Sequence, residues 1–561
     1  MRKKLAMTLA VSMFAASVLT ACGGSSAGNG TTASGDAAQS SGASDGTEAA
    51  AAAPSGDHAD YLQDYLSADI MTADVQKTSN DYEIPMNIYD TLVQVSVADD
   101  GSSSIAPMLA ESWEVSDDGL EYTFHLRTDA SFTNGNPVTA QDVKYTFTRM
   151  FTANGTVNSS FLDQIAGSNE LAAGTATELT GVEVIDDHTV KIKLEEPFGA
   201  FLSALAFTAC SIYDDEATEA AGDDFGMIPE KTIGSGPFIF ESWTPNAELV
   251  LKSNENYWGG APKIPGVVIR IIPDPETQVM MYENGELDIL DLRSNPEATD
   301  RITETYPDQI VSGPIMGVDY VFMNQNTEPL NDVKVRKAIQ MSIDRQTILD
   351  ELYNGRGKVE NGLFANGMIG YNENLPAIPY DPEQAKQLLA EAGYPDGFTI
   401  ELGNDSSNSE LRNTVTEIIQ AQLAEVGINL DIKTYDQSTW LETRKAGTMP
   451  MYVSSWTADF NDPDNFMYTF FGNEQNSKMR SINYADASVM AEVAKARTIV
   501  DPDERIADYQ KLEEKIMQED ASLVPLWSLD HLFAVSARTK GFKVSWNGFS
   551  DSSYYPVYFE E

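Results

Sequence analysis

From Leu120 to Leu126 (LEYTFHL) apolar and polar residues alternate without a break. That is the period of a strand with one buried face. Thr139 then reads as an N-cap with Asp142 three residues on, opening a helix that carries Val143, Phe147 and Met150 on one face. Upstream, Asn87–Val97 reads as a helix end followed by a strand. Two further alternations flank the Asp186-Asp187 turn signal inside Val182–Leu194. Ile233-Gly234-Ser235-Gly236-Pro237-Phe238 marks a bend. It is no phosphate loop, because no Gly-Lys-Ser/Thr follows and strand residues come next. Leu249–Lys252 and Val267–Ile272 read as strands. Thr277–Glu286 reads as a helix stopped near Asn284-Gly285, and Leu287–Leu290 leads back into strand.

From about Asp319 the texture changes to helix alternating with strand. Asp332 caps Val333–Ser342, Asp344 caps Arg345–Tyr353, and Asp381-Pro382 opens a helix that ends at Gly393. A long helix from Ser409 to Gly427 aligns Leu411, Val415, Ile418, Ile419 and Leu423. Ile428, Leu430 and Ile432 follow as a strand, then a helix over Ser438–Lys445, then a strand over Met449–Trp456. Strand–helix–strand predicts a parallel pair, and in such sheets ligands sit beyond the strand C-termini. Trp456 and Asp459 fall there. A capped helix from Asp501-Pro502 to Gln518 precedes Leu523-Val524-Pro525-Leu526-Trp527.

The stretch Tyr452–Phe471 (YVSSWTADFNDPDNFMYTFF) is where chemistry concentrates, with Trp456 ahead of Asp459, Asp462 and Asp464. An EF-type calcium loop needs Gly at its sixth and Glu at its twelfth position. Counting from Asp459 these are Asp464 and Phe470, so the pattern fails. Two carboxylates suffice for a glycosidase, but nothing else supports hydrolysis, and no G-x-S-x-G elbow or spaced Cys/His dyad is present. No catalytic constellation emerges, and no cofactor is expected.

Composition narrows the partners. The chain has 561 residues, 42% hydrophobic, enough for two or three domains. Its 86 acidic against 36 basic residues give a formal charge of −50. That argues against nucleic acid as a partner and disfavours adhesion of the body to anionic lipid. His58, His125, His188 and His531 lie far apart, so no zinc or haem spacing occurs. Cys210 sits in an apolar run and reads as a buried inert thiol.

At the N-terminus Arg2, Lys3 and Lys4 precede the apolar Leu5–Val18, too short to span a bilayer. Leu19-Thr20-Ala21-Cys22 resembles a bacterial lipobox. By that resemblance residues 1–21 are a signal peptide and Cys22 carries lipid, which leaves Cys210 without a partner. Residues 22–58, rich in Gly, Ser, Ala and Thr, read as a disordered tether. Its mean reach is roughly 30–35 Å. The folded body begins near Asp60.

Seven stretches carry a wider resemblance. They are PMLAESWEVSDDGLEYTFHLRTDASFTNGNPVTAQDVKYTFTR from Pro107, GSGPFIFESW from Gly234, NENYWGG from Asn254, NGELDIL from Asn284, VRKAIQMSIDR from Val335, YDPEQAKQLLAEAGYPDGF from Tyr380, and the Trp456 loop. In this order the sequence resembles the family 5 solute-binding proteins of ABC importers, the peptide/nickel group, nearest to the oligopeptide- and dipeptide-binding lipoproteins. The resemblance implies an α/β fold of periplasmic-binding-protein type II, two lobes with a hinge, in a three-domain variant. Domain I is discontinuous (59–92, 229–315 and 531–561), domain II is inserted (93–228), and domain III spans 316–530. It further implies a monomer on the outer face of a bacterial membrane, held by N-terminal lipid alone, that delivers short peptides to an ABC permease and performs no catalysis.

WTADFNDPDNF is similar to the Trp-x-x-Asp element of dipeptide binders. That similarity gives Asp459 the ligand's α-ammonium group, and gives Ser455, Trp456 and Thr457 the pairing of backbone with peptide. The polar Thr78–Tyr82 stretch, through Asn80 and Tyr82, is expected on the opposite wall. Arg412 and Arg444 are both candidates for the ligand carboxylate. The same fold with another solute, an oligosaccharide or a nickel chelate, stays open, since Trp440, Trp456 and Trp527 suit a sugar. A surface glycan hydrolase and a receptor that signals to a membrane sensor are the further alternatives.

Overall fold

The computed structural model describes residues 58–79, 81–98, 103–293, 296–545 and 553–560. Cys22 and Asn80 lie outside them. Among the described residues no helix is long and apolar enough to cross a membrane.

One four-stranded sheet runs Leu62–Leu66, Gly266–Ile271, Glu248–Ser253, Phe238–Thr244. Its first pair is parallel and the rest antiparallel. Leu62, Phe238, Leu249, Val267 and Ile269 build its core, and the distant Phe533, Val535 and Tyr554 return to complete it. A second, antiparallel sheet orders Ala110–Val115, Glu121–Leu126, Thr189–Lys193 and Val182–Asp186. Tyr122, Phe124 and Leu126 are its buried set, as the alternation predicts. The helix Ala140–Thr152 covers it with Val143, Phe147 and Met150. Thr139 and Asp142 form the reciprocal cap that satisfies the first N–H groups of this helix.

The third region centres on Gly317–Met323, which is buried along its whole length. Its partners on either side are Met451–Thr457 and Leu523–Pro525, both antiparallel. Here the predicted pairing is corrected. Ile428–Tyr435 is indeed in a parallel pair, but its partner is Phe398–Asp405, across the helix Glu410–Glu425. Met451–Thr457 pairs instead with the earlier strand. Gly317–Met323 is apolar on both faces, through Val318, Tyr320, Val321 and Phe322, and so takes the central place with a partner on each edge.

Two neighbouring segments join the first and third regions. The strand Trp527–Val535 pairs at its start with Gly357–Val359 and further on with Ile289–Asp291 and Ile310–Pro314. Beside it Ile310–Pro314 runs through Ile315 into Gly317–Met323, and Ile315 N–H donates to the Leu529 carbonyl at 3.0 Å.

Candidate functional site

Among the described residues Met451–Thr457 lies at the end of its three-stranded sheet, with no further strand of that sheet on its outer edge. Alternation sends its side chains two ways. Tyr452 and Trp456 join one core, while Met451 and Val453 join another. On the second face Ser455 and Thr457 line a cavity of about 360 Å³ together with Gly317, Asp319, Arg412 and Trp527. Gly317 permits this closeness: a Cβ there would lie 2.8 Å from Thr457 Oγ1 and 3.2 Å from the Trp456 carbonyl oxygen. Asp319 is buried, accepts from Trp527 Nε1–H at 3.0 Å through Oδ2 and is ion-paired with Arg412, 2.8 Å from Oδ1. Arg412, a candidate for the ligand carboxylate, therefore already has a carboxylate partner.

The loop after the strand separates its three acids. Asp462 is fully buried and receives both guanidinium nitrogens of Arg505, at 2.6 and 2.7 Å. Asp464 accepts from the Tyr509 hydroxyl at 2.8 Å and lies 3.4 Å from Arg497 Nε. Burial pushes its carboxyl up to about 6. Asp459 alone of the three makes no ion pair among the described residues. It is half-buried, and that burial raises its pKa, against an Asn465 hydrogen bond and the charge of Arg480.

Asn465 sets the geometry. Its Nδ2 donates to Asp459 Oδ2 at 3.1 Å, while its Oδ1 accepts from Asp459 N–H at 3.2 Å and from Trp456 Nε1 at 3.0 Å. Two donors facing Oδ1 and one acceptor facing Nδ2 fix which way the amide points. Trp456 is half-buried, edge-on to Phe470 at 5.7 Å, with the Arg480 guanidinium 4.4 Å from its ring centre. Arg444 stands over Trp440 at 5.4 Å, on the same side of the sheet. Phe460 brings the second sheet's region to this loop, edge-on to Phe198 at 6.5 Å.

Ser455, Trp456, Thr457 and Asp459 are thus brought together as one strand end and its loop. Tyr82 is not with them: it is 3% exposed and packs edge-on against Phe207 at 5.0 Å in the core of the first sheet. Its ring is apolar enough to be core despite its polar neighbours in sequence. Asn465 and Arg480 were not singled out by the sequence as site residues. Asn465 falls at the end of the DPDN turn, and its link to Asp459 is a matter of loop geometry. Arg480 comes from a separate turn.

The profile of the bacterial extracellular solute-binding proteins, family 5, matches residues 104–478. The chain belongs to this family. Family 5 proteins are transport receptors outside the cytoplasm and catalyse no reaction. Heme-binding protein A of Haemophilus influenzae is 30% identical over 470 residues, covering 81% of this chain and 84% of its own. The dipeptide-binding protein of Escherichia coli K12 is 31% identical over 459 residues, covering 78% and 83%. The solved structure of the periplasmic binding protein DppA from Helicobacter pylori, in complex with peptide STSA, superposes with a TM-score of 0.67. It has 28% identity and covers 89% of this chain and 98% of its own. The fold is the type II-like, multi-domain α/β fold of these family 5 receptors.

Proposed function

We propose that this family 5 protein captures short peptides by their amino end and passes them to an ABC permease. The observation that carries the reading is Asp459, a recessed carboxylate oriented by Asn465 just past the outer edge strand of its sheet, with neither an ion pair nor a further strand on that edge among the described residues. A ligand ammonium leaving water needs such a carboxylate, because an unpaired buried charge costs several kcal/mol. Ser455–Thr457 supply main-chain groups for an added strand, which gives affinity without dependence on ligand sequence. The cavity beside Ser455 and Thr457 is of a size to take a ligand side chain. Relatives of nearly equal identity bear the names of haem and dipeptide binders. Overall likeness therefore does not select the solute, and the charge arrangement at Asp459 favours the peptide.

In this reading residues 59–92, 229–315 and 531–561 form domain I, 93–228 domain II and 316–530 domain III. The adjacent crossings near Ile315 and Leu529 serve as the hinge, and ligand contacts made only in the closed form bias it. The protein acts as a monomer, anchored through lipid on Cys22. Mass spectrometry of the mature N-terminus, with Cys22→Ser as control, tests the anchor.

Calorimetry with di- to pentapeptides, free and N-acetylated, tests the ligand. Free peptides are expected to bind and their acetylated forms to bind far more weakly. Stabilisation in a thermal-shift panel by haemin, an oligosaccharide or a nickel chelate, with every peptide silent, would overturn the reading.

A further inference from the structure

The region of the second sheet touches the third region, although the chain passes from one to the other only through segments of the first. The contact is one corner, Pro197-Phe198-Gly199. It meets residues 497–500, the turn between the helices Ala487–Ala496 and Pro502–Glu513. Gly199 N–H donates to the Arg497 carbonyl at 3.0 Å. A Cβ at Gly199 would lie 2.3 Å from the Ile499 carbonyl oxygen and 2.6 Å from Arg505 Cδ, so only a glycine admits this approach. The Arg497 guanidinium lies 4.5 Å from the Phe198 ring centre and 4.0 Å from that of Tyr468. The Tyr122 hydroxyl donates to the Phe198 carbonyl at 3.4 Å and ties the corner to its own sheet.

The corner rests on the ligand loop. Phe460, which directly follows Asp459, packs on the core of the second sheet's region and stands edge-on to Phe198. Arg505, against which Gly199 lies, holds Asp462. Between them Asn461 Oδ1 accepts from Ile369 N–H at 2.9 Å, and the nearby Gly367 carbonyl accepts from Ser103 Oγ at 3.1 Å, a second bridge between the two regions. The opposite attachment of the second sheet's region is built differently. Arg149 reaches Asp74 of the first region through two hydrogen bonds, at 3.1 and 2.6 Å, and both side chains are buried. Asn158 Nδ2 donates to the Val75 and Thr78 carbonyls at 2.8 and 2.7 Å. Breaking that interface would strand a buried charge. Parting the corner from its turn would not, because Arg505 keeps Asp462 and Arg497 keeps Asp464. The second sheet's region therefore travels with the first, and its contact with the third is the one that opens.

We infer that Pro197-Phe198-Gly199 is a clasp that closes on the ligand loop, so that the inserted region, which supplies none of the residues of the ammonium site, sets how long a captured peptide is held. Contacts made only in the closed form slow opening and release, and leave entry into the open form unaffected. The glycine fit makes the clasp sensitive to complete closure: Gly199 N–H reaches the Arg497 carbonyl only when the two backbones meet. The inference rests on the peptide and hinge reading above.

Stopped-flow fluorescence with Ala-Ala-Ala tests it in Gly199→Ala. The nearest atoms met by the added methyl group all belong to Ile499 and Arg505, and Gly199 is not left-handed, so the unfolding temperature is expected to stay near that of the parent protein. Release is expected to be about tenfold faster, with entry changed by less than about twofold. Nitroxides at Glu183→Cys and Glu492→Cys, exposed positions on the two regions, report the gap with or without peptide. Cys210 is buried away from the label. Gly199→Ala is expected to move the measured distances towards longer separations. Equal release rates in parent and variant would overturn the clasp and leave the peptide reading standing. A loss of affinity carried wholly by slower entry would also overturn it, since that marks a deformed site. If no peptide binds the parent protein, the peptide reading falls and the distances alone decide the clasp, an unchanged distribution in Gly199→Ala overturning it.

Discussion

Asn465 holds Asp459 at two points, donating from Nδ2 to the carboxylate at 3.1 Å and accepting at Oδ1 from the Asp459 backbone N–H at 3.2 Å. The same Oδ1 takes the Trp456 indole N–H. One buried amide thus sets the direction of the carboxylate relative to the strand that would pair with a ligand. Asn465→Ala is expected to weaken binding of free peptides by about 1–3 kcal/mol. Circular dichroism should stay close to that of the parent protein. Calorimetry that returns an unchanged Kd would mean that Asp459 needs no such support.

The charge at Asp459 predicts how binding responds to acid. Burial raises the pKa of this carboxyl, and an ammonium ligand needs the ionised form. Protons and ligand therefore compete, and affinity should fall as pH drops through the raised pKa, beginning above the range of an ordinary aspartate. Asp459→Asn removes the competing proton along with the charge. It is expected to cost about 2–5 kcal/mol of affinity near neutral pH and to flatten the acid limb. The same acid limb in parent and variant would assign it to another group.

Asp462 has a different task from Asp459, although both lie in one acidic run. It and Arg505 are almost wholly buried and joined by two parallel hydrogen bonds. Asp462→Ala strands the guanidinium in the interior, at about 3–5 kcal/mol of stability. Urea unfolding of the parent and variant measures this directly. A loss under about 1 kcal/mol would mean that water or Asp464 takes over the pairing.

Local signals in the chain were legible; long-range partners were not. The Thr139/Asp142 cap needs only four consecutive residues and is present as read. The alternation through Leu126 names its buried face correctly. Met449–Trp456 also reads as a strand, and Met451–Thr457 is one, but the reading carries no information on the neighbour. The parallel partner expected for it belongs instead to Phe398–Asp405 and Ile428–Tyr435. The Trp456–Asp459 spacing points to one loop, but not to how its acids are partnered. The division of its acids depends on Arg497 and Arg505, which arrive from helices far along the chain. Arg480 reaches Trp456 only through a turn with left-handed Ser481 and Asn483, residues whose identity does not demand that conformation.

Glu513 predicts a pH dependence of stability that is independent of ligand. It is 1% exposed, accepts from Leu363 N–H at 2.6 Å and Phe364 N–H at 3.0 Å through Oε1, and its Oε2 has no partner among the described residues. Burial, followed by the neighbouring Glu360 charge, raises its carboxyl to about 8, against the pull of the two N–H groups. The folded state therefore holds a proton that the unfolded chain releases near an ordinary glutamate pKa. Stability from this group is fully present below that unfolded value and is lost as pH rises through about 8. The slope is at most about 1.4 kcal/mol per pH unit. Asp64, buried and raised to about 7, acts in the same sense. Glu513→Gln keeps the acceptor at Oε1 and cannot titrate. Urea unfolding across this window is expected to show stability falling with rising pH in both proteins, more shallowly in the variant. Parallel slopes would mean that Glu513 is ionised in the fold, with its charge met by the Leu363 and Phe364 N–H groups alone.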